Sequence, residues 1–324
     1  MESTITECGE SDWEHFVSLE FETMKTLSDT HYKKLVEENP GKTESELIQV
    51  YGKSLKEDFD FTSPDCRIFV AKNDESYAGH VWIAYRNSED PWDFECPVWI
   101  YDITIHPDFR RQGLGKRLME QAELWTKERG RNIGLFVHYQ NEAAISLYKT
   151  TGYRIKMIPI SKALSNIRGL LDSSIEFRKV TKEDQAWLEK IGFEVFKKKV
   201  QYSINKDETT ILNKYRELCK KIEEKENQVR YVGINNQQEL VVSIWVSEAE
   251  FNEDFAYVHE VVFDEKISSD TIHKEILHQL EEAAAAIGKK KLYVLLHDAD
   301  GIDWTTFQKY GYKIPGFFME KRLK

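Results

Sequence analysis

The sequence has few cysteines and no long apolar run, and both absences narrow the class of protein. Four cysteines occur among 324 residues, far apart and with no Cys-x-x-Cys pair, which argues against a zinc knuckle or a disulfide framework. We expect no metal site. No stretch approaches the ~18 consecutive apolar residues of a membrane span, and the first residues lack the regions of a secretory signal. We therefore expect a cytoplasmic protein without membrane contact.

Positive charge is also scarce relative to negative charge. Lys and Arg total 45 against 56 Asp and Glu, a net charge of -11, and an acidic surface is repelled by phosphate backbones. This balance argues against nucleic-acid binding and mildly favours cationic small molecules. The length exceeds the roughly 100 to 200 residues of one domain, so we expect two domains.

The first half predicts an α/β protein in which helices and strands alternate after an initial helical region. Strands are indicated by β-branched and aromatic runs, and helices by apolar residues at spacings of three and four. We predict strands at residues 4–8, 67–72, 77–86, 98–105, 132–137 and 153–158, and helices at residues 11–27, 31–38, 43–57, 114–129 and 141–150.

A glycine-containing loop follows the strand 98–105 and precedes a helix. Backbone N–H groups at a helix start are unpaired and favour an anion, and glycine lets a ligand approach the backbone. Positive side chains cluster here although the protein is acidic, which favours a bound phosphate over general surface composition. By itself, however, the pattern fits a simple strand-to-helix turn equally well. The predicted cofactor-binding residues of this loop are Arg110, Arg111, Gln112, Gly113, Leu114, Gly115 and Lys116.

A second signature lies downstream, in the order Leu-x-Val-x-x-x-Asn-x-x-Ala-x-x-Leu-Tyr-x-x-x-Gly-Tyr, and it includes Asn141, Tyr148 and Gly152. With this pattern the sequence resembles the GCN5-related N-acetyltransferase (GNAT) family over about residues 98–158. The resemblance implies an α/β (α+β) fold with a mixed sheet, whose fourth and fifth strands splay apart to admit the pantetheine arm of acetyl-CoA.

The same resemblance implies roles for individual residues. The backbone of Ile103, Thr104 and Ile105 is expected to pair with the pantetheine, and residues 111–116 to wrap the pyrophosphate. Asn141 is expected beside the cofactor arm, and Tyr148 to bind there and protonate the departing thiolate. A tyrosine at this helical position could equally be a packed aromatic residue, and without the rest of the motif that interpretation is favoured.

The base that accepts the amine proton is harder to identify from the sequence. Strict alternation along residues 98–105 places Asp102 on one face with Val98, Ile100 and Thr104, inside a mostly buried strand. Asp102 is thus predicted as a base, a substrate anchor or a structural ion-pair partner.

Other possible relays are Glu95, Tyr101, His106 and His138; Cys96 is a weaker acetyl-accepting candidate. Residues 89–95 mix acids and aromatics, a combination that suits either an ammonium group or a solvated loop.

The second half repeats the plan at a shift of 159 residues, which pairs Gly311 with Gly152 and Tyr312 with Tyr153. The same shift places Ile272 at Gly113, Lys274 at Gly115, Asp300 at Asn141 and Phe307 at Tyr148. We read a duplication with two tandem GNAT-like domains, catalytic at residues 1–165 and non-catalytic at residues 174–324, joined by a linker at residues 166–173.

These expectations define one leading function and two alternatives. The leading one is an acyltransferase that moves an acetyl group from acetyl-CoA, its cosubstrate, to a primary amine of a small molecule by direct attack. The alternatives are acetylation of a protein or peptide amine, and non-catalytic acyl-CoA binding or sensing. We expect a monomer or homodimer in which the C-terminal domain acts as an internal pseudo-subunit.

Overall fold

The computed structural model describes residues 3–27, 29–85, 98–164, 174–200, 207–263, 270–297 and 304–323. The first half contains strands and helices in the order predicted from the sequence. They are β1 (Thr4–Glu7), α1 (Trp13–Leu27), α2 (Asp29–Glu38), α3 (Glu44–Asp58), β2 (Cys66–Asn73), β3 (Ser76–Tyr85), β4 (Val98–Ile105), α4 (Leu114–Lys127), β5 (Ile133–His138), α5 (Glu142–Thr150) and β6 (Arg154–Ala163).

The second half repeats this order with one helix fewer among the residues that the structure describes. Its elements are β7 (Glu176–Lys179), α6 (Gln185–Val200), α7 (Glu208–Glu223), β8 (Gln228–Ile234), β9 (Leu240–Glu248), β10 (Phe255–Phe263), α8 (Asp270–Ala286), β11 (Lys291–His297), α9 (Trp304–Lys309) and β12 (Gly316–Lys321). A 3-10 turn precedes α1 in one half and α6 in the other. The repeat of elements agrees with the duplication read from the sequence.

The twelve strands of the described residues form one mixed sheet in the order β1-β2-β3-β4-β5-β12-β6-β11-β10-β9-β8-β7. The last strand of each half lies in the sheet of the other: β12 pairs antiparallel with β5, and β6 pairs antiparallel with β11. β12 and β6 also pair with each other. The two halves therefore exchange their last strands, and each completes the other's sheet.

Each exchanged strand also forms an ion pair with a helix of the other half. Lys162 on β6 lies 2.7 Å from Glu281 on α8, and Lys321 on β12 lies 2.6 Å from Glu123 on α4. The two lysines differ by 321 − 162 = 159 residues, which is the shift seen in the sequence. The two halves are thus related by an internal pseudo-symmetry that includes side-chain contacts.

The sheet separates two layers of core. One face packs against α4 and α8, whose apolar sides are buried in a single cluster that runs through both halves. The other face carries two separate clusters, one under α1 and α3 and one under α6 and α7. In α4 the predicted buried face is confirmed, with Leu114, Leu118, Ala122 and Trp125 each at most 6% exposed. The described helices include none with the length and apolar character needed to cross a membrane.

Candidate active site

A wedge opens between β4 and β5. These neighbouring parallel strands pair only from Val98 to Ile100, opposite Ile133 to Leu135. Beyond Ile100 the backbone of β4 continues along β3, where Ile103, Thr104 and Ile105 pair with Val81, His80 and Gly79. The side of β4 that faces β5 is therefore not hydrogen-bonded to that strand over residues 103–105.

A β-bulge at Tyr101 changes which side chains of β4 share a face. The pairing with β3 jumps from Trp82 opposite Asp102 to Ile83 opposite Ile100, so Tyr101 is the extra residue. Because one extra residue reverses the alternation, Val98 and Ile100 join the α4 side of the core together with Ile103 and Ile105. The prediction that Asp102 and Thr104 share a face with Val98 and Ile100 is therefore wrong.

The bulge turns Asp102 toward α1, where it meets two groups that the sequence analysis missed. Nε2 of His80, on β3, lies 3.0 Å from Asp102 Oδ2 and 3.1 Å from Glu20 Oε1. The other ring nitrogen, Nδ1, lies 2.9 Å from the hydroxyl of Tyr77. The Thr104 hydroxyl contacts that of Thr23 on α1 at 3.2 Å. We call Glu20, His80 and Asp102 the acid–histidine cluster.

Burial and mutual contact shift the pKa of every member of the cluster. Burial raises the pKa of Glu20 and the Asp102 charge raises it further. Burial acts to lower the pKa of His80, but the hydrogen bonds to Asp102 and Glu20 outweigh it and raise that pKa to about 9. Burial opposes ionisation of Asp102, yet its bond to His80 keeps its pKa below the usual value. Near neutral pH, His80 is therefore cationic and Asp102 anionic.

The glycine loop has the backbone shape of an anion site. Gly113 precedes α4 with φ +80°, and Arg111 also adopts a left-handed conformation at φ +60°, which is uncommon for a residue with a side chain. The first N–H groups of α4 point out of the helix end into this loop. Two of the nearby cations are held by backbone carbonyls: Arg110 Nε donates to Ile105 O, and Arg117 Nη2 donates to Ser3 O.

Helix α5 lies beside this loop and carries the second signature. A Cβ placed on Gly115 would lie 3.3 Å from Leu147 Cδ2, so the loop and α5 are in close contact. Asn141 caps α5, and its side chain accepts the N–H of Ala144 at 3.2 Å. Tyr148 is buried, and burial followed by the Asp102 charge raises its pKa, so its phenol keeps its proton at neutral pH.

Comparison with known proteins agrees with this geometry. Residues 30–153 match the model of the acetyltransferase (GNAT) family. Residues 30–153 therefore form a segment similar to the GNAT family. The chain is 33% identical over 132 residues to GCN5-related N-acetyltransferase 4, chloroplastic, of Arabidopsis thaliana, covering 37% of this chain and 45% of that protein. It is 38% identical over 55 residues to the ribosomal protein bS18 alanine N-acetyltransferase of Escherichia coli, covering 17% of this chain and 37% of that protein.

A solved GCN5-related N-acetyltransferase from Sphaerobacter thermophilus aligns over 99% of this chain and 96% of its own, with a TM-score of 0.49 and 13% identity. The chain spans between 26% and 56% of the length of the curated relatives that it matches. The matched family segment, residues 30–153, contains the wedge, the glycine loop, Asn141 and Tyr148 of the GNAT domain, whereas Glu20 lies outside it.

The remaining sequence candidates of the GNAT domain lie apart from the acid–histidine cluster or outside the described residues. His106 accepts the amide of Asp108, and His138 accepts the amide of Gln140. Tyr101 stacks on Trp82 with ring centroids 4.9 Å apart and is 36% exposed, so it forms a wall beside Asp102. The candidates outside the described residues are Glu95, Cys96, the segment 89–95, the linker 166–173 and Asp300.

The second half keeps the position of the cluster but changes its chemistry. A bulge at His259 sets Trp245 opposite Glu260, as the bulge at Tyr101 sets Trp82 opposite Asp102. Arg230 pairs with Glu260 at 2.7 Å, and both side chains are 10% exposed. Counted from the preceding 3-10 turn, Gly192 takes the place of Glu20. The carboxylate equivalent to Asp102 is therefore neutralised by an arginine.

The second half also differs at the positions of the glycine loop and of Tyr148. β10 and β11 also part after four paired residues, so the wedge recurs in the second half. However, the shift of 159 places Ile272 and Lys274 at the two loop glycines. Phe307, at the place of Tyr148, is buried against Tyr312 with ring centroids 5.3 Å apart. This half lacks a hydroxyl at the position of Tyr148.

Proposed function

We propose that this protein transfers the acetyl group of acetyl-CoA to a primary amine of a small molecule by direct attack of the amine. The observation that carries the proposal is the wedge between β4 and β5, with the glycine loop at one end and the acid–histidine cluster near the other. Acetyl-CoA supplies the acetyl group. The anionic Asp102, the most exposed member of the cluster, favours a compact acceptor that carries an amine.

In this proposal the chain holds the cosubstrate through backbone groups. Residues 103–105 present to the pantetheine arm the edge of β4 that is not paired with β5. Residues 110–116 present N–H groups and positive charge to the pyrophosphate, and Asn141 fixes the start of α5 beside the arm. Left-handed backbone at Arg111 and Gly113 shapes the loop as a concave set of donors, which is the geometry that suits phosphate oxygens.

Two side chains handle protons. Asp102, which is 16% exposed, accepts a proton from the attacking amine, and the buried phenol of Tyr148 donates one to the departing sulfur. The raised pKa of Tyr148 means that the phenol gives its proton only while the thiolate forms, because a free thiol is the stronger acid of the two. The oxyanion is expected to receive a backbone N–H of residues 103–105.

The second domain, residues 174–324, is proposed to be non-catalytic and to act as an internal pseudo-subunit. Its carboxylate Glu260 is paired with Arg230, and Phe307 has no proton to give. Through β12 it completes the sheet of the first domain, residues 1–165. Its contribution to acetyl transfer is therefore to support the shape of the site.

A protein or peptide amine is the second candidate for the acceptor. It is favoured by the similarity to an enzyme named for a ribosomal protein alanine and by the exposure of Tyr101 at the mouth of the site. A screen separates the two candidates: polyamines, amino acids, aminoglycosides and short peptides are tested for acceptor-dependent release of CoA thiol. We expect release with small amines. Release with peptides alone supports the second candidate. If none of the amines causes release of CoA thiol, both candidates are contradicted.

A further inference from the structure

The acid–histidine cluster places three ionisable groups from three elements around one nitrogen atom. His80 is fully buried, and the side chains of Glu20 and Asp102 are only 8% and 16% exposed. One nitrogen atom of His80 and one carboxylate oxygen from each of Glu20 and Asp102 lie within 4.8 Å of one another. A second buried carboxylate costs free energy that an amide would avoid. Glu20 is therefore difficult to explain by packing alone.

We propose that Glu20, His80 and Asp102 act as one proton-accepting unit for the acceptor amine, with Asp102 as the catalytic base and Glu20 and His80 as positioning residues behind it. The inference rests on the proposed acetyl transfer and identifies the groups that hold the proton. Asp102 is the most exposed of the three and faces the substrate. Glu20, on α1, and His80, on β3, act through it.

The proton balance of the step follows from the charges. In the base form both carboxylates are ionised and His80 is an imidazolium, so the unit carries one net negative charge. As the new C–N bond forms and the C–S bond breaks, the amine proton passes to Asp102 and is shared with Glu20. Tyr148 protonates the departing sulfur separately. Both Tyr148 and the unit then return to their starting states by exchange with solvent.

Three phenols interact with the unit: Tyr51 on α3, Tyr77 on β3 beside His80, and Tyr148 on α5. Their pKa values are all raised, chiefly by burial, so they are neutral near pH 7. The charge of the unit is therefore set by its own three members. Burial, together with the Asp102 charge, raises the pKa of Glu20 to about 8, which suits a base that works near neutral pH.

The test is the pH dependence of turnover in the full chain, measured with an acceptor found in the amine screen and with saturating acetyl-CoA. In the wild type, kcat should rise with pH through a limb near pH 8, because the unit accepts a proton only after Glu20 has ionised. Glu20→Gln should remove this limb and lower kcat by about 10²-fold, while the KM for acetyl-CoA stays unchanged. Glu20→Asp should restore the limb.

A matched control and an independent measurement keep the result decisive. Glu14→Gln changes an exposed residue of the same helix and should leave the pH profile unchanged. The NMR titration of His80 in the wild type requires no turnover, and we expect the ring to stay charged up to about pH 9. An unchanged limb in Glu20→Gln overturns the inference, and so does a neutral His80 at pH 7. A wild type that acetylates no amine contradicts the proposed function, whatever the titration shows.

Discussion

Tyr148 can be tested by the removal of a single oxygen atom. Tyr148→Phe should lower kcat by one to several powers of ten, about the contribution of a general acid, with little change in acetyl-CoA affinity. Tyr153→Phe is the matched control, because its buried ring packs against Tyr148 with centroids 5.9 Å apart and it has no proposed proton to give. Rates are measured by thiol release. Equal turnover in wild type and Tyr148→Phe would exclude this tyrosine as the acid.

At the level of single residues, the sequence predicts the site residues that belong to a motif. It does not predict the residues that only the fold brings together. Asp102, Asn141 and Tyr148 are predicted from the pattern around them, and their roles stay predictions. Glu20 lies between Leu19 and Phe21, and His80 lies between Gly79 and Val81, 60 positions away. The one signal in the sequence is a charge at Glu20 beside Phe16, Val17 and Phe21 on a helical face that is otherwise apolar.

The glycine loop is the element whose backbone conformation matters most. Gly113→Ile forces a β-branched side chain into a left-handed conformation and should weaken acetyl-CoA binding at least tenfold. Gly41→Ile is a close control, since Gly41 has the same φ of +80° and likewise no atom within 4 Å of the position that a Cβ would take. Both variants are expected to lose similar stability by thermal unfolding. Equal acetyl-CoA affinity in the two, measured by calorimetry, would contradict the loop assignment.

Element order was predictable from the sequence, but the local geometry of β4 was not. Helical spacing and β-rich runs predict the order of the first half correctly, because each signal lies within one segment. The bulge at Tyr101 is visible only against its partner strand, where Asp102 and Ile100 face adjacent residues of β3. Since one inserted residue reverses the alternation, the face of Asp102 could not be read from the strand alone.

For the whole molecule, the exchange of β6 and β12 determines how the second domain must be tested. An isolated first domain lacks the strand that lies between β5 and β6, and an isolated second domain lacks β6 beside β11. The full chain is therefore titrated with acetyl-CoA by calorimetry. We expect one bound molecule per chain, and binding that is at least tenfold weaker in Gly113→Ile. Two equivalent sites would show that residues 174–324 also bind the cosubstrate.

The duplication was predictable because matching residues recur at a constant shift, whereas the strand exchange was not. Lys162 and Lys321 occupy equivalent positions in the sequence, yet each contacts the helix of the other half. A sequence repeat does not state which copy a terminal strand joins. The pseudo-subunit role of the second domain stays a proposal, supported by the Arg230 to Glu260 pair.

The most direct measurement of direct acetyl transfer follows a label in the acetyl group of acetyl-CoA through a single turnover with the acceptor amine. The proposed function predicts that the label appears on the amine, with an equal amount of free CoA and no labelled protein at any time. Label bound covalently to the protein before it reaches the amine, or label released only as acetate, would contradict direct attack of an amine at the wedge between β4 and β5.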